Sequence, residues 1–217
     1  MRNYGLIWGV VKMNFDEATV EGFGHEWNRL DQSDLSDEEL VKVFKKYFAI
    51  FPWDILPKRA VGFDLGCGSG RWAKLVAPKV EKLHCIDPSS ALDVARSNLS
   101  QFNNCEFHSK TLDEIPLEFS SMDFGYSLGV LHHIPDPQAG LRKCVSHLKP
   151  GAPFLVYLYY AFENRPLWFR LIWILSDVLR RVISRLPYFI RYYISQVIAL
   201  IVYLPLSKLS FFLDKLG

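Results

Sequence analysis

The chain of 217 residues contains no C-x-x-C pair; its four cysteines, Cys67, Cys85, Cys105 and Cys144, stand far apart. That spacing excludes a dithiol redox motif and a zinc knuckle, and leaves buried, reduced thiols of a cytosolic protein as the simpler reading. No cluster of histidine and cysteine has metal-ligand spacing, so no metal is expected. Neither an internal repeat nor a low-complexity tract occurs, which excludes a solenoid or a disordered tract. The apolar run at residues 5–11 lacks the basic, apolar and cleavage-site order of a secretion signal. The uncharged stretch 192–206 has 15 residues, short of the roughly 18–20 that span a bilayer. A chain that lies in the cytoplasm and does not cross a membrane is expected.

What is present is apolar and unevenly charged. Half of the residues are hydrophobic and 15% are aromatic, enough to build a sizeable core. The net charge of +2 hides an asymmetry: residues 165–217 carry eight Lys/Arg against two Asp, so the remaining body is mildly acidic.

The run Val61-Gly62-Phe63-Asp64-Leu65-Gly66-Cys67-Gly68-Ser69-Gly70-Arg71-Trp72 reads as a buried strand, a glycine turn and a helix start. Glycine lets the backbone bend sharply and approach a ligand, and the N–H groups of a helix start attract negative charge. A dinucleotide loop wants glycine at the sixth position of G-x-G-x-x-G, where this chain has Arg71. No Lys-Ser/Thr pair follows, which excludes a P-loop. Asp64 precedes the loop and Asp87 follows the next strand, 21 residues after Gly66. Two acids around such a loop repel a pyrophosphate and suit a nucleoside ligand that carries its own positive charge.

The rest of the body alternates between strand and helix. Strands are expected at 60–65, 82–86, 105–109, 122–127 and 153–160, and helices at 70–77, 89–99 and 137–148. Residues 1–30 read as irregular, and the capping box Ser36 to Glu39 opens a helix whose apolar face is Leu40, Val43, Phe44, Tyr47 and Phe48. Such alternation implies a parallel sheet with helices on both faces. Three segments result: 1–57 as a cover segment and helix, 58–160 as an α/β core, and 161–217 as a helical appendage.

Four motifs in order carry a resemblance: Asp64-x-Gly66-x-Gly68-x-Gly70, Asp87, the run Ser127-Leu128-Gly129-Val130-Leu131-His132-His133-Ile134-Pro135-Asp136, and Leu148-Lys149-Pro150-Gly151. Over residues 58–160 the chain resembles the class I S-adenosylmethionine-dependent methyltransferases, most nearly the group labelled type 11. The resemblance implies a doubly wound, Rossmann-like parallel sheet with strand order 3-2-1-4-5, and S-adenosyl-L-methionine as cofactor. It implies a cofactor site of Asp64, Gly66, Cys67, Gly68, Gly70, Arg71, Asp87, Pro88, Thr111, Leu112, Ser127 and Leu128. Asp87 would take the ribose hydroxyls, unless it only caps the following helix. Asp64 would orient the loop or hold the ammonium end, unless it is a solvated strand end. Arg71 would pair with the carboxylate or lie in solvent. Thr111 stands where the family commonly has an acid for the adenine amine, so Leu112 or Asp113 would substitute. His132 would face the acceptor as base or orienting group, with His133 fixing the loop. The segment His25-Glu26-Trp27 would cover the cofactor or staple the sheet, and Tyr159 or Tyr160 would line the acceptor pocket.

Beyond Tyr160 the alternation stops. Residues 166–186 form a basic amphipathic helix with Trp168 and Trp173 on the apolar side, and a nearly uncharged helix follows Pro187 and ends at Pro205. This stretch, 166–206, reads as a lid or as a peripheral contact with the inner face of a membrane. The family's sheet adds two strands after the fifth, and none is readable here, so a C-terminally incomplete chain with an insertion is expected. The leading reading is a methyltransferase for a small-molecule or lipid-linked acceptor, and the alternative is a non-catalytic, membrane-associated module of the same fold. Nucleic acid is not an expected partner, since the basic residues lie in an apolar tail, and the oligomeric state is left open.

Overall fold

The computed structural model of the chain describes residues 14–29, 36–159 and 165–214. It divides into two units, Met1–Tyr159 and Tyr160–Gly217, which are taken in turn.

The first unit is built on five parallel strands, β1 (Val61–Leu65), β2 (Lys82–Ile86), β3 (Cys105–His108), β4 (Phe124–Leu128) and β5 (Phe154–Tyr157), in the order β3-β2-β1-β4-β5. This is the order expected from the resemblance. Covered on both faces, β1, β2 and β4 are buried almost continuously rather than at alternate residues. The two central strands interlock through glycine. In register, Gly62 faces Phe124 and Phe63 faces Gly125. A Cβ on Gly62 would lie 2.3 Å from the Phe124 ring, and one on Gly125 2.5 Å from the Phe63 ring. Each ring thus occupies the space that a side chain on the opposite glycine would need. Phe124 joins the core on one face of the sheet and Phe63 the core on the other.

The first face is covered by α2 (Asp37–Tyr47), α3 (Ala73–Val76) and α4 (Ala91–Asn98). The Ser36 hydroxyl caps α2 by accepting from the Glu39 N–H at 3.2 Å. The apolar face of α2 delivers Leu40 and Phe44 into an aromatic cluster with Phe48, Phe51, Trp53 and Trp72. The other face is closed by α5 (Pro137–His147), capped by Asp136, whose carboxylate accepts from the Ala139 N–H at 2.9 Å.

Two local expectations are corrected. Within 1–30, residues Glu17–Arg29 form a helix, α1, started by Asp16, which accepts from the Thr19 N–H at 2.8 Å. The helix after the glycine loop is one turn, α3, continued by a 3₁₀ turn at Ala77–Lys79 where Pro78 removes a donor.

The second unit is α6 (Leu167–Ser184), α7 (Tyr188–Ile198), a π turn (Ala199–Tyr203) and α8 (Leu204–Asp214). On α6, Asp177 pairs with Arg180 at 2.6 Å and Arg181 at 2.7 Å. Pro205 does not end the helical run as expected; it sits just after the wider π turn, where a residue without an N–H is accommodated. The run Phe189–Leu213 is therefore 25 residues long, and by length and composition it is long and apolar enough to cross a membrane.

Candidate functional site

A cavity of about 180 Å³ opens at the C-terminal ends of β1, β2 and β4, where the strand order reverses between β1 and β4. Its floor is the glycine loop. Gly66, Gly68 and Gly70 have φ of 73°, 53° and 78°, in the left-handed region that glycine enters without cost. A Cβ on Gly66 would also lie 2.3 Å from Val130. The loop is pinned from β2: Gly66 N–H donates to the Ile86 carbonyl at 2.7 Å, and Gly68 N–H donates to Asp87 Oδ2 at 2.9 Å. The other oxygen of Asp87 accepts from the Ser89 N–H at 2.9 Å and the Ser89 hydroxyl at 2.6 Å. Asp87 is buried, and it lines the cavity with Pro88 and Ser89. Because α3 is a single turn, loop N–H groups rather than a helix macrodipole are what this floor offers to an anion.

The structure brings most of the expected residues together. Gly66, Cys67, Gly68, Arg71, Asp87, Pro88, Thr111, Leu112 and Leu128 all line the cavity. Arg71 lies with its guanidinium 4.2 Å over the Trp72 ring, and burial lowers its pKa. Thr111 is buried, with its hydroxyl 3.5 Å from the Glu114 carboxylate. Gly70 stays behind the loop, against Leu99 and Ala95 of the core. Ser127 is fully buried and donates to the Leu65 carbonyl at 3.0 Å, which ties the end of β4 to that of β1.

Asp64 and His132 are not at the cavity wall. Period-two alternation turns Asp64 away from the loop's open side, and its Oδ2 and the Tyr126 hydroxyl are buried with no hydrogen-bond partner among the described residues. Burial pushes its pKa up to about 8, opposed by the nearby Tyr126 hydroxyl and reinforced by Asp87. Asp64 thus stands behind the loop, apart from the residues that line the cavity. In the 3₁₀ turn Leu131–His133, successive side chains diverge by about 120°. His133 therefore faces the cavity, edge-on to Phe23 at 4.9 Å between ring centroids. His132 packs 4.4 Å from the Tyr159 ring with both ring nitrogens buried and unpartnered among the described residues. Burial lowers the pKa of both histidines.

The remaining wall comes from the N-terminal segment, where the sequence pattern shows no regular element. Asn14, Phe15, Asp16, Thr19, Val20 and Phe23 all line the cavity. Asn14 clips this segment to both sides of the site. Its N–H donates to Asp113 Oδ2 at 2.7 Å, its amide donates to the Asp136 carbonyl at 2.8 Å, and its Oδ1 accepts from the Asp136 N–H at 2.7 Å. Asp16 three residues before Thr19 is the capping signal that marks this helix. The side chains of His25, Glu26 and Trp27, and the whole of Tyr160, lie outside the described residues.

Residues 63–156 match the family described as methyltransferase domain. With the sheet order and the loop above, that match decides the assignment. This segment is a class I S-adenosylmethionine-dependent methyltransferase domain. Among curated proteins it is similar to ubiquinone biosynthesis O-methyltransferases. That of Marinobacter nauticus is 33% identical over 46% of this chain and 43% of its own length, and that of Xanthomonas axonopodis 27% identical over 64% and 59%. The chain thus spans about half the length of the curated relatives it matches. Among solved structures, a protein of Methanococcus maripaludis assigned to the S-adenosyl-L-methionine-dependent methyltransferases shares the fold with a TM-score of 0.53, at 14% identity over 78% of this chain and 88% of that one. The N-methyltransferase NodS of Bradyrhizobium japonicum, solved with S-adenosyl-L-homocysteine, gives a TM-score of 0.51, at 18% identity over 63% and 71%.

The buried carboxyl of the methyltransferase domain makes a pH prediction. The folded chain keeps the Asp64 proton up to about pH 8, whereas an unfolded Asp loses it near its ordinary value of 3.8. Between these values the folded state binds more protons, so this group's contribution to stability falls as pH rises. Denaturant unfolding of wild type and Asp64→Asn at pH 5 and pH 8 is expected to show the variant gaining on wild type by up to about 4 kcal/mol, at ~1.4 kcal/mol per pH unit. A difference that does not change with pH would contradict the buried neutral carboxyl.

Proposed function

We propose that this chain is an S-adenosylmethionine-dependent methyltransferase that acts on a small-molecule or lipid-linked acceptor. One observation carries the reading: the cavity is walled on one side by the Asp87-pinned glycine loop and on the other by His133 and the N-terminal helix. The residues fit S-adenosylmethionine. A carboxylate has about four lone-pair sites, and Asp87 uses three of them on protein donors, leaving acceptor capacity for a ribose hydroxyl. Pro88, Leu112 and Leu128 offer apolar surface to a nucleobase, with Thr111 as the polar group beside it, and Arg71 and the loop N–H groups suit a carboxylate. When bound, the cofactor supplies a methyl group on a sulfonium, whose transfer neutralises charge.

What the chain itself contributes is proximity and alignment, and a proton acceptor where the acceptor atom must lose a proton. His133 is suited to that task because burial keeps its imidazole neutral at pH 7, so the ring can take up a proton or hold a hydroxyl in line. His132, packed behind it on Tyr159, then acts as the positioning residue. The relatives' names favour oxygen as the acceptor atom. Calorimetric titration with S-adenosylmethionine and S-adenosylhomocysteine is expected to show one site, weakened at least ~tenfold in Asp87→Ala by loss of charge-assisted hydrogen bonds. A folded chain that binds neither ligand would overturn the reading.

The second unit supports membrane contact as the place where the acceptor is met, at the cytoplasmic face. No residue of α6 is buried; its Leu, Ile, Val and Trp side chains are exposed beside Arg170, Arg180, Arg181 and Arg185. Such a helix binds through apolar area plus attraction to anionic lipid, about 1 kcal/mol per basic residue near the surface. Flotation with vesicles containing phosphatidylserine is expected to carry the chain, and reversing Arg180, Arg181 and Arg185 to Glu to cut the bound fraction at least ~tenfold. Equal flotation of the two proteins would contradict this role. Vesicle binding without cofactor binding would instead support the non-catalytic module.

A further inference from the structure

Away from the cavity, the pairing of β2 with β3 assembles three donors that the sequence keeps apart. His84 lies directly across from Glu106, and Ile86 across from His108. Side chains two apart on a strand share a face, so Lys82, His84, Glu106 and His108 all project from the same side of the sheet. His84 Nδ1 is 3.0 Å from His108 Nε2. The Glu106 carboxylate reaches both rings, with Oε2 3.7 Å from His84 Nδ1 and Oε1 3.8 Å from His108 Nε2. All three ligand atoms lie within 4.8 Å of one another. None of the three residues lines the cofactor cavity.

The geometry points to a divalent transition-metal site, of the zinc class, formed by His84, Glu106 and His108. An ion that makes bonds of about 2.0–2.1 Å joins donors up to about 4.2 Å apart, and about 3.4 Å apart in a tetrahedron. All three separations fall inside that limit, while the two carboxylate contacts are too long for hydrogen bonds to the rings. Two imidazoles and one carboxylate suit zinc, nickel or ferrous iron rather than calcium or magnesium. His84 is buried, His108 half-buried and Glu106 exposed, so the set is anchored in the sheet and open on one side for water. Lys82, whose ammonium lies 2.9 Å from Glu106 Oε2, is the group an ion would displace. Spacing along the chain hides the site because Glu106 comes 22 positions after His84. An ion here would staple β3 to β2 directly below the Asp87 N–H, which donates to the His108 carbonyl at 3.1 Å.

The site is tested independently of methyl transfer, on the tag-free full chain stripped with a chelator. Calorimetric titration with Zn²⁺ is expected to show one saturable site, and Co²⁺ to give visible ligand-field absorption. His108→Ala and Glu106→Gln are each expected to weaken binding at least ~tenfold, the loss that even an outer partner of a metal ligand causes. Glu106 is exposed, so Glu106→Gln keeps the test open if the histidine variant does not fold. Lys82→Gln is expected to bind at least as tightly as wild type, and the double variant His132→Ala/His133→Ala to bind like wild type. No saturable Zn²⁺ binding, affinity unchanged in both His108→Ala and Glu106→Gln, or loss of binding in Lys82→Gln or in the double variant would each overturn the assignment.

Discussion

The Asp87 carboxylate joins the ends of β1 and β2, and the geometry of the site depends on it. One oxygen holds the Gly68 N–H and the other holds Ser89 twice. Hydrogen bonds to an ionised acceptor are about twice as strong as neutral ones, and a buried N–H left unpaired costs about 1–3 kcal/mol. The left-handed glycines give the loop its path, and Asp87 selects one path among those that glycine allows. Val130, filling the space over Gly66, closes the loop from the β4 side. Ser127 does the same for the backbone, through the Leu65 carbonyl. The site is therefore a product of three strand ends held in register.

That register comes from the sheet, which explains why so much was legible in the sequence. The order β3-β2-β1-β4-β5 is the one the family resemblance implies, and the glycine loop and Asp87 are readable from residue type and spacing. What was not legible depended on neighbours. The identities of His132 and His133 say that one imidazole faces the cavity, but the pitch of a 3₁₀ turn decides which. Asp64 has the residue type of a ligand-binding acid, and only the parity of β1 shows it turned into the core beside Tyr126. The helix expected over 70–77 starts three residues later, at Ala73, because the glycine loop runs on through Gly70, and it ends at Val76, ahead of the 3₁₀ turn that holds Pro78. At Pro205 the helical run is longer than the sequence pattern implies, since the π turn before it lets the helix continue.

The N-terminal segment shows how tertiary contacts override weak local signals. Gly22 and Gly24 lower the helix propensity of α1 by roughly 1 kcal/mol each relative to Ala. Gly24 nonetheless lies close against the start of α4, where a Cβ would sit 2.7 Å from the Ser90 hydroxyl oxygen and make that side chain turn. Docked in this way, α1 brings Phe23 onto His133, and Asn14 bridges the loops that follow β3 and β4. The N-terminal segment and the loops after β3 and β4 are thus joined in one hydrogen-bonded frame around the cavity.

The central claim is that this frame is the S-adenosyl site. Backbone amide NMR of the full chain, titrated with S-adenosylhomocysteine, tests it most directly. The account predicts the largest shifts at residues 66–70, at Asp87 and Ser89, and at Asn14 and Phe23 of the cover. Saturable binding whose shifts fall elsewhere, leaving the Gly68 amide unmoved, would contradict it.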